Sequence, residues 1–121
     1  MITVSKKISF DAAHFLPDYD GKCKNLHGHH WSVELAVKGN IDLKTGMVLD
    51  FSILKDFLNI IKDIYDHKLL NDIIKNPTAE YVICDVFERW IRWIKGQRFP
   101  DINLAWIRVW ETEDSCAEYR P

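Results

Sequence analysis

The chain has 121 residues, enough for one domain with one core, and the expectation is a single domain over residues 1–121. Its 47% hydrophobic and 28% charged residues match an ordinary globular protein, and a net charge of −2 excludes a broadly basic face for nucleic acid. No apolar run is long enough to span a membrane, and Met1 leads straight into a strand-like pattern. Cys23, Cys84 and Cys116 cannot all pair, so the chain is expected to be cytoplasmic with reduced thiols.

Ile2, Val4, Ile8 and Phe10 alternate with Thr3, Ser5, Lys7 and Ser9, which predicts a first strand running into His14, with Lys6 interrupting its apolar face. Pro17 to Gly21 is rich in turn formers and leads to Cys23. Trp31, Val33, Leu35 and Val37 alternate with Ser32, Glu34, Ala36 and Lys38, a second half-buried strand. On such a strand His27 and His29 share a face and His30 points the other way. Gly39 to Gly46 reads as a connection and Met47 to Asp50 as a short strand.

From Ser52 onward Leu54, Phe57, Leu58, Ile61, Ile64 and Tyr65 recur at spacings of three and four, predicting a helix that ends near Asp66 and His67. Asn76-Pro77-Thr78 opens a second helix with a stripe of Ile83, Phe87, Trp90 and Ile94, and Gly96 stops it. Asn103 to Thr112 alternates again, with Leu104, Trp106 and Trp110 on one parity and Ala105, Ile107 and Val109 on the other. Glu111 continues the second row, so a carboxylate ends an otherwise apolar face. Ala117 to Arg120 adds a last short strand. The order is that of an α+β protein, an antiparallel sheet with two helices on one face. Two helices cover one face only, while the last long strand is apolar on both, which points to an oligomer.

His27 and His29, two imidazoles at i and i+2, have the reach to grip one divalent ion, zinc best of all, and Gly28 removes bulk between them. His14, at the end of an adjacent strand, is the candidate third ligand. The plainer alternative is a set of hydrogen-bonded core histidines. Cys23, four residues before His27, is either a fourth ligand that closes the site or an unbound thiol, flanked by Lys22 and Lys24, that acts beside an open metal position. Asp66-His67 at a helix C-terminus suits proton exchange, or simply caps the helix. Glu111 either points to water or, buried, requires paired donors such as the N–H edge of a pterin or guanine. A zinc hydrolase would want a carboxylate base beside the ligands, and Glu34 lies on the wrong face of its strand.

These residues together resemble the 6-pyruvoyl-tetrahydropterin synthase / 6-carboxytetrahydropterin synthase family. The resemblance runs nearly end to end: Phe10-x-Ala12-Ala13-His14, Cys23 before His27-Gly28-His29, Thr45-Gly46-Met47-Val48 with Asp50-Phe51, Asp66-His67-x-x-Leu70-Asn71, Asn76-Pro77-Thr78-x-Glu80, and Glu111-Thr112. It implies the tunnelling fold, a four-stranded antiparallel sheet with two helices on one face, whose sheets join into a barrel in the oligomer, commonly a hexamer of two trimers. It implies Zn2+ on His14, His27 and His29, Cys23 as catalytic thiol, Asp66 and His67 as its proton relay, Glu111 as pterin anchor, and Thr78 and Glu80 lining the pterin pocket.

The substrate implied is 7,8-dihydroneopterin triphosphate. In the pyruvoyl branch triphosphate leaves and the side chain stays. In the carboxy branch, on the queuosine (7-deazapurine) route, acetaldehyde also departs and 6-carboxy-5,6,7,8-tetrahydropterin remains. The short chain and the Cys23-to-His27 spacing resemble the carboxy branch. A folate-linked branch replaces the cysteine with glutamate, which Cys23 argues against. Tyr81 departs from the asparagine common after the glutamate of that motif. A non-catalytic pterin-binding module with a structural zinc is the alternative from another class, and the presence of both thiol and relay weighs against it.

Overall fold

The computed structural model describes residues 1–99 and 101–121. Strand β1 (Ile2–His14) pairs antiparallel with β2 (His27–Gly39), in a register that sets Phe10 opposite Trp31 and His14 opposite His27. Helix α1 (Phe51–Tyr65) follows, then β3 (Lys68–Leu69), α2 (Ala79–Lys95), β4 (Ile102–Thr112) and β5 (Ser115–Tyr119). The sheet order is β3-β1-β2-β4-β5. Among the described residues it therefore has five strands and is mixed, not four and antiparallel: β3 runs parallel to Ala12–Ala13 of β1. The two residues of β3 carry no alternating pattern, so their pairing left no trace in the sequence.

Each helix begins where its cap provides an acceptor. The Asp50 carboxylate takes the Ser52 N–H and the Thr78 hydroxyl takes that of Tyr81, each satisfying an amide the helix itself leaves open. Leu54, Phe57, Leu58, Ile61 and Tyr65 of α1 and Val82, Ile83, Val86 and Trp90 of α2 pack with Phe10, Trp31, Val33, Leu35, Val37, Ile107 and Val109 in one core. The buried stripe of α2 is centred on Val82 and Val86, with Phe87 and Ile94 only partly buried at its sides. Met47 to Asp50 forms no strand; Val48 and Leu49 are buried, but the backbone there is bent rather than paired. Among the described residues, no helix is long and apolar enough to cross a membrane.

Two register shifts in β4 change which side chains share a face. Val37 pairs with Leu104 and Ala36 with Trp106, so Ala105 is an extra residue and Leu104 joins the helix-covered face instead of standing with Trp106 and Trp110. The second apolar face thus shrinks to the two tryptophans. Arg108 lies 3.7 Å over the Trp106 ring and Lys7 lies 4.7 Å over Trp110, so cations of the same sheet cover both.

Candidate metal site

The site is built where the core ends. His14, His27 and His29 continue the rows of Phe10–Ala12 and Trp31–Val33 on the helix-covered face, and Trp31, fully buried, lies edge-on beneath His14 and His29. His14 is itself fully buried. Its Nδ1 donates to the Pro77 carbonyl at 2.8 Å, and His27 Nδ1 donates to the Asn25 carbonyl at 2.7 Å. Those bonds put a proton on each Nδ1 and leave the lone pair of each ring on Nε2. The two Nε2 atoms face each other at 3.1 Å. Two lone pairs that close repel unless a proton or a cation lies between them.

A proton is disfavoured there. Burial pushes His14 below its ordinary value, against the Pro77 bond and the Glu111 charge, and burial likewise lowers His29. A divalent ion meets the same need without a proton. Glu111 is the fourth member of the cluster: one carboxylate oxygen lies 2.9 Å from His29 Nε2 and 3.7 Å from His14 Nε2. The donor atoms of all four residues lie within 4.8 Å of one another, so bonds of about 2.0–2.1 Å require a small inward movement. His29 Nε2 is buried and makes no hydrogen bond, since the carboxylate is near but off the direction in which an N–H would point. The cluster fits a metal ion.

Glu111 owes its position to the second register shift. Trp110 pairs with Cys116 and Thr112 with Ser115, so Glu111 is an extra residue on β4, and a bulge of this kind re-aims a side chain. The expected continuation of the Ile107–Val109 row holds, but its end turns toward the imidazoles.

Cys23 sits half-buried in a one-turn 3-10 segment, Lys22–Lys24, outside the four-residue cluster. Its carbonyl accepts the Leu16 N–H at 2.8 Å, tying the loop to the end of β1. Asp66 and His67 follow α1. Asp66 Oδ1 lies 3.0 Å from His67 Nδ1, and His67 adopts a left-handed backbone with φ 58°. They border an open cleft of about 580 Å3 with Asp11, Gly28, His30 and Lys68. Among the described residues no hydrogen bond or ion pair joins Cys23 to Asp66 or His67. Thr78 is spent on capping α2, and Glu80 is exposed in the first turn of that helix.

Gly28 belongs to the cleft rather than to the imidazoles. A Cβ there would meet only the Ala12 carbonyl, at an ordinary 3.8 Å, so the bulk it omits lies on the opposite side from the metal cluster. Several supports escaped the sequence reading. Asn71, given no role beyond its motif, bonds both the N–H and the carbonyl of Phe15 at 3.0 and 2.8 Å, fixing the residue after His14. The carbonyls of Pro77 and Asn25 orient two histidines, and backbone acceptors leave no signature in residue type.

The model of the family described as 6-pyruvoyl tetrahydropterin synthase matches residues 3–121. A 6-carboxy-5,6,7,8-tetrahydropterin synthase of Haemophilus influenzae is 32% identical over 146 aligned positions, covering 99% of each chain. A dihydroneopterin monophosphate aldolase of Pyrococcus furiosus is 36% identical, covering 93% of this chain and 91% of its own. The solved structure of 6-pyruvoyl tetrahydropterin synthase of Caenorhabditis elegans superposes with a TM-score of 0.84 at 26% identity, covering 99% of this chain and 95% of the other. With a match that leaves out only its first two residues, this chain belongs to the 6-pyruvoyl tetrahydropterin synthase family of lyases.

Proposed function

We propose that the protein is a zinc-dependent lyase that converts 7,8-dihydroneopterin triphosphate and one water to 6-carboxy-5,6,7,8-tetrahydropterin, acetaldehyde and triphosphate. The observation that carries this reading is the pair of imidazole lone pairs facing across 3.1 Å, beside His29 and Glu111, in a chain of this family. His14, His27 and His29 would hold the zinc ion, which when bound would supply Lewis-acid polarisation of the substrate's side-chain hydroxyls. Cys23, as thiolate, removes a proton from a side-chain carbon, and His67, held by Asp66, returns one. Glu111 pairs with the N–H edge of the pterin ring. For Thr78 and Glu80 at the pocket wall, family likeness is the only support.

Family likeness supports a relay completed by a second copy. The proposed assembly is a hexamer of two trimers with sheets joined into a barrel. The pyruvoyl product is the second reading, and the aldolase name of the Pyrococcus furiosus relative adds a third.

Purified zinc-loaded protein incubated with 7,8-dihydroneopterin triphosphate should yield 6-carboxytetrahydropterin and acetaldehyde by mass analysis. A 6-pyruvoyl product would assign the other branch. Turnover only of dihydroneopterin monophosphate would assign the aldolase reaction.

A further inference from the structure

We infer that Glu111 is a switching ligand, which completes the metal's coordination when no pterin is bound and leaves the metal when the pterin ring arrives. The inference rests on the proposed pterin-anchor role of Glu111 and adds to it a second, mutually exclusive position.

The geometry favours the metal-bound position first. The same oxygen of Glu111 lies 2.9 Å from His29 Nε2 and 3.7 Å from His14 Nε2. The carboxylate and His29 Nε2 nonetheless make no hydrogen bond. The carboxylate instead belongs to a group of four, since one ligand atom from each of His14, His27, His29 and Glu111 lies within 4.8 Å of the others, a set that one ion can gather. Glu111 is the unpaired residue of the bulge between Trp110 and Thr112, the kind of irregularity that re-aims a side chain. A fourth protein ligand also gives the resting site the closed, four-coordinate shell typical of inert zinc.

Anchoring a pterin requires something else of the same group. The ring presents two parallel N–H donors, and both carboxylate oxygens must face them, as in an Arg–carboxylate fork. An oxygen committed to the metal is not available for that. The side chain is 28% exposed, which leaves it room to turn. Turning frees a metal position at the moment a substrate is present to fill it, and keeps the ion protected otherwise.

Mutual exclusion makes the two ligands antagonists, and linkage makes the antagonism reciprocal. The probe is pterin with no side chain, which offers the ring edge but no hydroxyls for the metal. Its dissociation constant is measured by fluorescence on zinc-loaded protein and on the same preparation stripped by a chelator. The stripped parent should bind pterin at least about fivefold tighter, within the ordinary range of coupling between sites. In Glu111→Gln the difference should vanish, although both forms bind weakly; a general effect of metal on folding or charge would persist in that variant. A cobalt-loaded parent should also change its visible absorption on adding pterin, and cobalt-loaded Glu111→Gln should not. Equal pterin affinity with and without zinc in the parent overturns the switch and leaves the proposed function standing. Failure of the parent to bind pterin in either state overturns both.

Discussion

Asp66 and Asp11 are joined through the backbone of β1: the Asp11 N–H donates to Asp66 Oδ1 at 3.0 Å, and the Asp11 carbonyl accepts the His67 N–H at 2.7 Å. This pair of bonds fastens the corner after α1 to the strand that ends in His14. The Asp11 amide, and after it His67, holds the Asp66 carboxyl below its usual range. Asp66 thus stays ionised through the neutral range and keeps His67 oriented over the cleft.

Asp66→Asn should preserve the corner, since an amide oxygen still accepts the Asp11 N–H, but it withdraws the charge facing His67. Turnover should fall by roughly 10²-fold or more, in line with loss of general acid–base assistance. Zinc content should not change. Full activity in Asp66→Asn would remove the pair from the relay.

Cys23 and the histidines are separable by metal analysis. Cys23→Ala should retain one zinc per chain and lose turnover, because the thiol lies outside the cluster. His27→Ala should lose the metal. Loss of zinc from Cys23→Ala would instead make the site a closed, structural one.

Acid should release the metal in a window set by the imidazoles. Burial lowers His14 and His29 below the ordinary value of about 6.5, so the unfolded chain takes up protons that the folded chain refuses. Stability from this source is fully present above about pH 6.5 and declines as pH falls below it. Zinc competes for the same lone pairs, so bound metal should be constant between about pH 7 and 8 and fall below about 6.5. Zinc content and melting temperature across that range check the expectation. A protein equally stable and equally loaded well below pH 6 would contradict it.

The helices are latched by a buried phenol. Tyr65 of α1 donates to the Asp85 carboxylate of α2, which Arg89 also holds at 2.8 Å, and burial raises the phenol far above its ordinary value. Tyr65→Phe keeps the ring tilted against Phe10 and removes only the hydroxyl. Unfolding by urea should show a loss of about 1.5–3 kcal/mol, the range for a hydrogen bond to a charged group. A loss under about 0.5 kcal/mol would mean that Arg89 alone satisfies Asp85.

The periodicities of β1, β2, α1 and α2 were legible because each element buries one face, and burial imprints a period of two or 3.6 on residue type. The placing of His27 and His29 on one face, with His30 on the other, followed from that period alone. The approach of His14 needed more, an antiparallel pairing of consecutive strands in the register that sets His14 opposite His27, and that register is a tertiary fact. Pairings that bury little were not legible. The two-residue β3 is held by backbone bonds to Ala12 and Ala13, which any residue type can make. The bulges at Ala105 and Glu111 are set by register against β2 and β5, and a strand cannot record in its own alternation how its neighbours slip past it. For that reason the sequence determined that Glu111 ends a buried row, and only the tertiary structure decided that its carboxylate turns toward the imidazoles.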